Sequence, residues 1–375
     1  MSLPKKGLSL LLVLVLLFSM SSSAVAADEK TKMDDLDKVL IAQRFLSSNE
    51  EDTNMWKGVS SVKDIVELYD IDNNVIAYYV SFNPKGYAIV NNNLDNPIAL
   101  EFGEGDSKPI RKLLDKDKGE KIYYAGPGYS FNWDDIMSGK TEAEKDEIKE
   151  DLKLDKIYNK LAEKNKQEKE LHKARKKLAK EKIEDIGGSA INGYDFILIG
   201  SMPMTTYTHD SISFFGTDWT KMIYYKYIAK DHCGATAATN IALYYTQDGY
   251  TNLKKNNSTY DTFVDLHSRI GNGPVSQFSS DLMSYAYSRG YSMTYSNINF
   301  FSGLKTATAD DHPCGVLVAN SPLDMHWVVS VGWREYNTGS EYIRIVTGWD
   351  DSSNAANYFS LWGDPLVMSV TEYEL

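Results

Sequence analysis

Asp231-His232-Cys233-Gly234-Ala235-Thr236-Ala237-Ala238-Thr239-Asn240 is the stretch on which the reading of this chain turns. Small, helix-compatible residues follow the cysteine, and Ala238, Ile241, Ala242 and Tyr245 then fall on one helical face. The pattern predicts a helix over 234–245 with the Cys233 sulfur at or near its N-terminus. Unpaired N–H groups and the helix dipole favour a thiolate there, and the thiolate is the nucleophilic form. A buried inert cysteine is the plainer alternative, but the helix that starts immediately after Cys233 favours a functional thiol. His232 is adjacent yet badly placed to act as its base, because successive side chains on a helix point about 100° apart.

A base must therefore come from elsewhere in the fold. Met325-His326-Trp327-Val328-Val329-Ser330-Val331 reads as a strand with a histidine at its entrance. A second strand follows, Tyr342-Ile343-Arg344-Ile345-Val346, ending in Thr347-Gly348-Trp349-Asp350. Neighbouring strands would bring a polar group from the end of the second to the imidazole of the first, fixing its tautomer. His209, His267 and His312 have no comparable setting, and His172 lies in a charged stretch.

A cysteine opening a helix as Cys-Gly-Ala-Thr-Ala-Ala-Thr-Asn, a strand-leading histidine and a strand end reading Thr-Gly-Trp together resemble the papain-like cysteine peptidases. Within that superfamily the chain is similar to the bacterial streptopain-like and bacteriocin-processing-like branches. The β-rich run through Lys85-Gly86-Tyr87-Ala88-Ile89-Val90 is similar to streptopain-type propeptides. The resemblance covers about 27–105 and 195–375. It implies an α+β fold in which a helical part carries Cys233 and an antiparallel sheet carries His326. It also implies a thiolate–imidazolium pair that cleaves peptide bonds through an acyl-enzyme, without a cofactor. The Cys233 backbone N–H would supply part of the oxyanion hole.

The chain departs from that family at two places. The orienting Asn or Asp expected two residues before the tryptophan is Thr347 here, and Asp350 just beyond Trp349 is the alternative partner for His326. The oxyanion glutamine expected shortly before the cysteine has no counterpart between Ile191 and His232. Tyr227, six residues before Cys233, stands near that place, with Lys226 and Lys230 close by. Tyr227, Gly234 and Trp349 are thus the candidates on the oxyanion and substrate-binding side. The second cysteine, Cys314, reads as a small core residue at a strand start, or as a disulfide partner that would silence Cys233.

Outward from these residues the chain changes texture. Lys5 and Lys6, the apolar run 7–20 and Ala24-Val25-Ala26 read as an export signal, since the run is shorter than the roughly 20 residues a membrane span needs. Residues 27–110 read as a small α+β domain, with a helix near 33–48 and an antiparallel meander from 62 to 102. Lys and Glu dominate 139–185 without a sustained heptad, so 111–190 reads as a charged, largely helical and solvated linker. The domain bearing Cys233 and His326 then occupies 191–375, with strands at 316–318, 327–331, 342–346 and 358–361 and a further helix over 275–289.

Composition bounds the function. The 375 residues are 42% hydrophobic and 25% charged, ordinary for a globular protein. The net charge of −12 argues against nucleic acid as a partner. No His, Cys or acidic cluster has metal-ligand spacing. The expectation is a secreted peptidase precursor that acts on protein or peptide substrates. Its own N-terminal propeptide would be the inhibitor, and after signal removal it would make no membrane contact. The alternative is a catalytically inactive papain-like fold that binds an extracellular partner.

Overall fold

Four short runs of β-branched and aromatic residues, separated by Asn, Asp, Pro and Gly turns, form the first antiparallel ladder of the structure: β1 (Ser61–Tyr69), β2 (Val75–Asn83), β3 (Tyr87–Asn91) and β4 (Ala99–Gly103). The structure, a computed structural model, describes residues 33–46, 61–116, 119–126, 129–151, 161–185, 206–213, 219–321, 324–348, 358–363 and 367–375. The expected export signal lies outside them. Both β3 and β4 are buried along their whole length, which requires cover on both faces. Part of that cover is α1 (Asp35–Leu46), whose Phe45 is fully buried and meets Phe102, Tyr336 and Tyr342 with ring centroids 5.1–5.6 Å apart.

The charged region 111–190 departs from the sequence expectation. It contains α2 (Lys108–Lys116), then β5 (Ile122–Gly126) and β6 (Tyr129–Phe131), which extend the sheet beyond β1 through a parallel pairing. Two short helices follow, α3 (Trp133–Met137) and α4 (Glu142–Asp151), before α5 (Lys166–Asp185). The last is not solvated on all sides: Glu168, His172, Arg175 and Ala179 are buried at spacings of three and four residues. Charge pairing, not apolar content, lets them face inward. Glu168 pairs with Arg44 of α1, and Asp37 accepts from His172 Nε2 at 2.9 Å and Lys176 at 2.7 Å. A hydrophobic-periodicity reading is blind to such a stripe.

The second half supplies β7 (Tyr207–Ser211), α6 (Cys233–Gln247), α7 (Thr259–Ile270), α8 (Phe278–Ser288), β8 (Thr294–Ile298), α9 (Phe301–Ala309), β9 (Cys314–Ser321), β10 (Asp324–Tyr336), β11 (Glu341–Val346), β12 (Tyr358–Leu361) and β13 (Val367–Glu374). Helix α6 is buried from Cys233 to Tyr245 and forms one core with α7, α8 and the inner faces of β10 and β13. One mixed, mostly antiparallel sheet runs through all described strands in the order β6-β5-β1-β2-β3-β4-β12-β11-β10-β9-β13-β8, with β7 paired to the far part of β10. The fold is α+β. β4 pairs with β12, Phe102 stacks on Phe359 at 4.9 Å, and residues 35–375 form one compact unit.

The long strand β10 holds this arrangement together and carries a tight spot. Its register against β11 shifts between Ser330 and Gly332. A Cβ at Gly332 would meet the Asp210 carbonyl oxygen, the Ser211 Oγ at 2.8 Å and the Ser211 Cα at 3.0 Å. Backbone cannot retreat as a side-chain tip can. Gly332→Ala should therefore push β7 off β10 and cost about 1–3 kcal/mol. The check is the urea midpoint. An unchanged midpoint would mean that β7 yields without cost.

Candidate active site

The first turn of α6 places the thiol. Cys233 is its first helical residue, preceded by His232 at the N-cap, and Thr236 closes the turn by donating from both its N–H and its Oγ1 to the His232 carbonyl, each at 3.0 Å. The small residues that follow Cys233 let the helix start approach β10. A Cβ on Gly234 would already lie 3.3 Å from Ile270 and 3.5 Å from Trp327. Gly234 therefore stands as a close-packing position between α6 and the strand that carries His326. Cys233 is 4% exposed and His326 5%.

These elements bring Cys233 and His326 to one hollow. It is lined besides by Met222, Thr236, Asn240 and Thr347, and it has no room for a solvent molecule. Thr236, Ala237 and Asn240 follow Cys233 at helical spacings of three, four and seven, so one face of α6 forms a wall. Asn240 does not reach toward the thiol. Its amide clasps Thr220, accepting from the Thr220 N–H at 2.7 Å and donating to the Thr220 carbonyl at 3.2 Å.

His326 is oriented by backbone. Its Nε2 lies 3.0 Å from the Thr347 carbonyl oxygen, so Nε2–H donates there and Nδ1 carries the lone pair. Position 347 is the one the sequence aligned with the family's orienting residue, but the acceptor is its main-chain oxygen and not its hydroxyl. A carbonyl serves whatever the side chain, which explains how threonine can stand there. Asp350 and Trp349 lie outside the described residues. Just before them, Gly348 adopts φ +68°, and its carbonyl accepts from the Met222 N–H at 3.0 Å. Met222 in turn accepts from His232 Nε2 at 2.9 Å. The His232 ring is thus turned to Met222 and packs edge-on against Tyr225 and Phe263.

Burial dominates the electrostatics. Desolvation pulls the His326 pKa from 6.5 down to about 4, with the Thr347 carbonyl opposing and the nearby His232 ring adding to the depression. His326 is neutral at pH 7 in this closed arrangement. Its folded-state value lies below that of the unfolded chain, so between pH 6.5 and 4 the unfolded chain holds a proton that the folded chain rejects. Stability conferred near neutrality is lost as pH falls through that window and levels off below pH 4. At about 1.4 kcal/mol per pH unit, the loss amounts to about 3 kcal/mol. Urea titrations of wild type and His326→Gln at pH 7 and 4.5 check this, and the variant should lose less. Equal losses would remove His326 as the cause.

The remaining candidates separate. Neither Cys314 nor Cys233 is part of a disulfide, so none joins them. Cys314 is 1% exposed, its S–H points to the His312 carbonyl at 3.7 Å, and burial, helped by Glu372, pushes its thiol well above the usual range. It has the character of an inert core residue. Tyr227 is 87% exposed under the Lys226 ammonium, 5.0 Å from its ring centroid, and does not line the hollow. The oxyanion role considered for Tyr227 finds no geometric support: the chain between Met222 and Cys233 turns the tyrosine outward and the Met222 backbone inward. Sequence reasoning passed over Met222 and Asn240. For Asn240 the helical spacing from Cys233 was a usable signal, but Met222 had none.

Among the described residues, no group of three or more His, Cys, Asp or Glu is gathered as a metal site, and no helix is long and apolar enough to cross a membrane. Comparison with models of known protein families gives no match, and comparison with curated proteins gives none either.

Proposed function

We propose that this chain is a secreted cysteine peptidase of papain-like design, made as a precursor. The observation that carries the reading is the meeting of Cys233, at the first position of a helix, with His326, on the strand packed against that helix, in one hollow. The imidazole is fixed through Nε2, and in this reading Nδ1 takes the thiol proton. In the reaction, the Cys233 proton passes to Nδ1 and the sulfur attacks the peptide carbonyl carbon. The oxyanion meets the Cys233 N–H in the first turn of the helix. The C–N bond then breaks as the imidazolium gives its proton to the leaving amine. Water, deprotonated by His326, attacks the thioester, and the C–S bond breaks to return the thiol and release the acid.

A closed hollow and a neutral His326 suit a resting precursor, since the ion pair needs polar surroundings that a bound substrate or an opened cleft supplies. Residues 27–110 act as the intramolecular inhibitor in this reading. Processing belongs to the 139–195 region but outside α5, whose inner face is buried. The export signal read at residues 1–26 supports secretion.

An epoxysuccinyl probe, applied after processing within the 139–195 region has opened the hollow, tests the proposal. It should modify Cys233, spare Cys314 and depend on His326, as read by peptide mapping. If Cys233 is not modified, or reacts equally well without His326, the inactive binding fold replaces this reading.

A further inference from the structure

Residues 221–230, Lys-Met-Ile-Tyr-Tyr-Lys-Tyr-Ile-Ala-Lys, hold three lysines and no acid in a chain of net charge −12. The segment leaves the candidate site at Met222, which lines the hollow with Cys233, and turns outward. Tyr225 stays inside, stacked on Phe263 at 3.5 Å, and anchors the segment to α7. Its neighbours do the opposite: Tyr224 is 63% exposed, Tyr227 87% and Ile228 48%, with Lys226 and Lys230 exposed among them. On α7, Tyr260 and Val264, three residues before and one after Phe263, are exposed as well. Large rings in water beside a buried anchor are the composition of a recognition surface, where tyrosine contributes wide contact at low entropic cost.

We propose that this face, Tyr224, Tyr227 and Ile228 with Lys226 and Lys230, is the docking surface for the substrate and selects acidic peptides that carry apolar side chains. Calling the peptide a substrate rests on the peptidase reading; the docking does not. Two observations choose this occupant. The patch is cationic, so it attracts anions. It is also continuous in the chain with Met222, which lines the hollow together with Cys233. A bilayer surface is instead bound by a segregated apolar face with cations at its margin, whereas here Lys226 sits over the Tyr227 ring and rings and cations interleave.

The test uses the full chain with Cys233→Ala, so that binding is measured without cleavage. Fluorescence anisotropy compares a labelled peptide of alternating Glu, Tyr and Leu with its Lys-for-Glu counterpart. The acidic peptide should bind about tenfold tighter or more, and 0.5 M salt should weaken it. Lys226→Glu with Lys230→Glu should invert the preference, and Tyr224→Ser with Tyr227→Ser should weaken both peptides. All four positions are exposed, so folding is preserved. Equal affinity for the two peptides, or indifference to these substitutions, overturns the proposal, as does lysine-dependent sedimentation with phosphatidylglycerol vesicles without peptide binding. Selective binding by the Cys233→Ala protein, with no hydrolysis by the unsubstituted one, would uphold the surface and remove the peptidase reading alone.

Discussion

His326→Ala is expected to slow modification of Cys233 by an epoxysuccinyl probe about thirtyfold at pH 7, because an unassisted thiol is only a few per cent thiolate there. Peptide hydrolysis should fall further, by about 10²–10⁴-fold, since the general acid for the leaving amine goes as well. The pH profile separates chemistry from damage. In the parent protein, once the hollow has opened and the ion pair has formed, modification should be nearly flat around neutrality. In the variant it should climb with pH toward the ordinary thiol range near 8.5. A variant that reacts as fast as the parent, with the same profile, would show that the thiol owes nothing to the imidazole. Conservative replacement at Thr347 should change little, because its carbonyl and not its hydroxyl holds Nε2.

The second large effect is expected far from the hollow. Glu168 is fully buried, and its Oε1 accepts from Arg44 Nη2 at 2.7 Å, Thr338 at 2.5 Å and Ser340 at 2.7 Å, while Oε2 pairs with Arg44 Nη1. Three separate parts of the chain, α1, α5 and the β10–β11 turn, thus meet on one carboxylate. Glu168→Ala leaves a buried guanidinium without this counter-charge and takes away the acceptor of the Thr338 and Ser340 hydroxyls, which should cost about 3–5 kcal/mol. For a chain of this length the midpoint of thermal unfolding should drop by about 5 °C. Arg44→Met with Glu168→Leu should recover much of the loss, because two matched apolar groups leave no uncompensated charge. A drop of less than about 1 kcal/mol in the single variant would mean that water reaches the carboxylate.

Much of the second half was legible in the sequence because periodicity and chemistry agreed there. The helix after Cys233, the strand led by His326 and the strand ending at Val346 each have one apolar pattern and one interpretation. The inner face of α5 offers no such pattern, because it buries Glu168, His172 and Arg175, and a charge faces inward only if another part of the chain supplies its partner. Tyr227 was misplaced for a related reason. Counting residues back from Cys233 cannot show which way a loop turns, and here Tyr225 took the inner position against Phe263.

The amino-acid sequence by itself determined the local elements, the thiol at a helix start and the histidine at a strand entrance, since these follow from side-chain periodicity and backbone preference within a dozen residues. Tertiary structure alone decided that β4 joins β12 in one sheet, that the Thr347 carbonyl holds His326, and that α5 is packed rather than solvated. Each of these depends on a hydrogen bond or ion pair between groups tens to hundreds of residues apart. Backbone acceptors carry no side-chain identity, and paired charges carry no apolar signal, so neither leaves a local trace that could be read in advance.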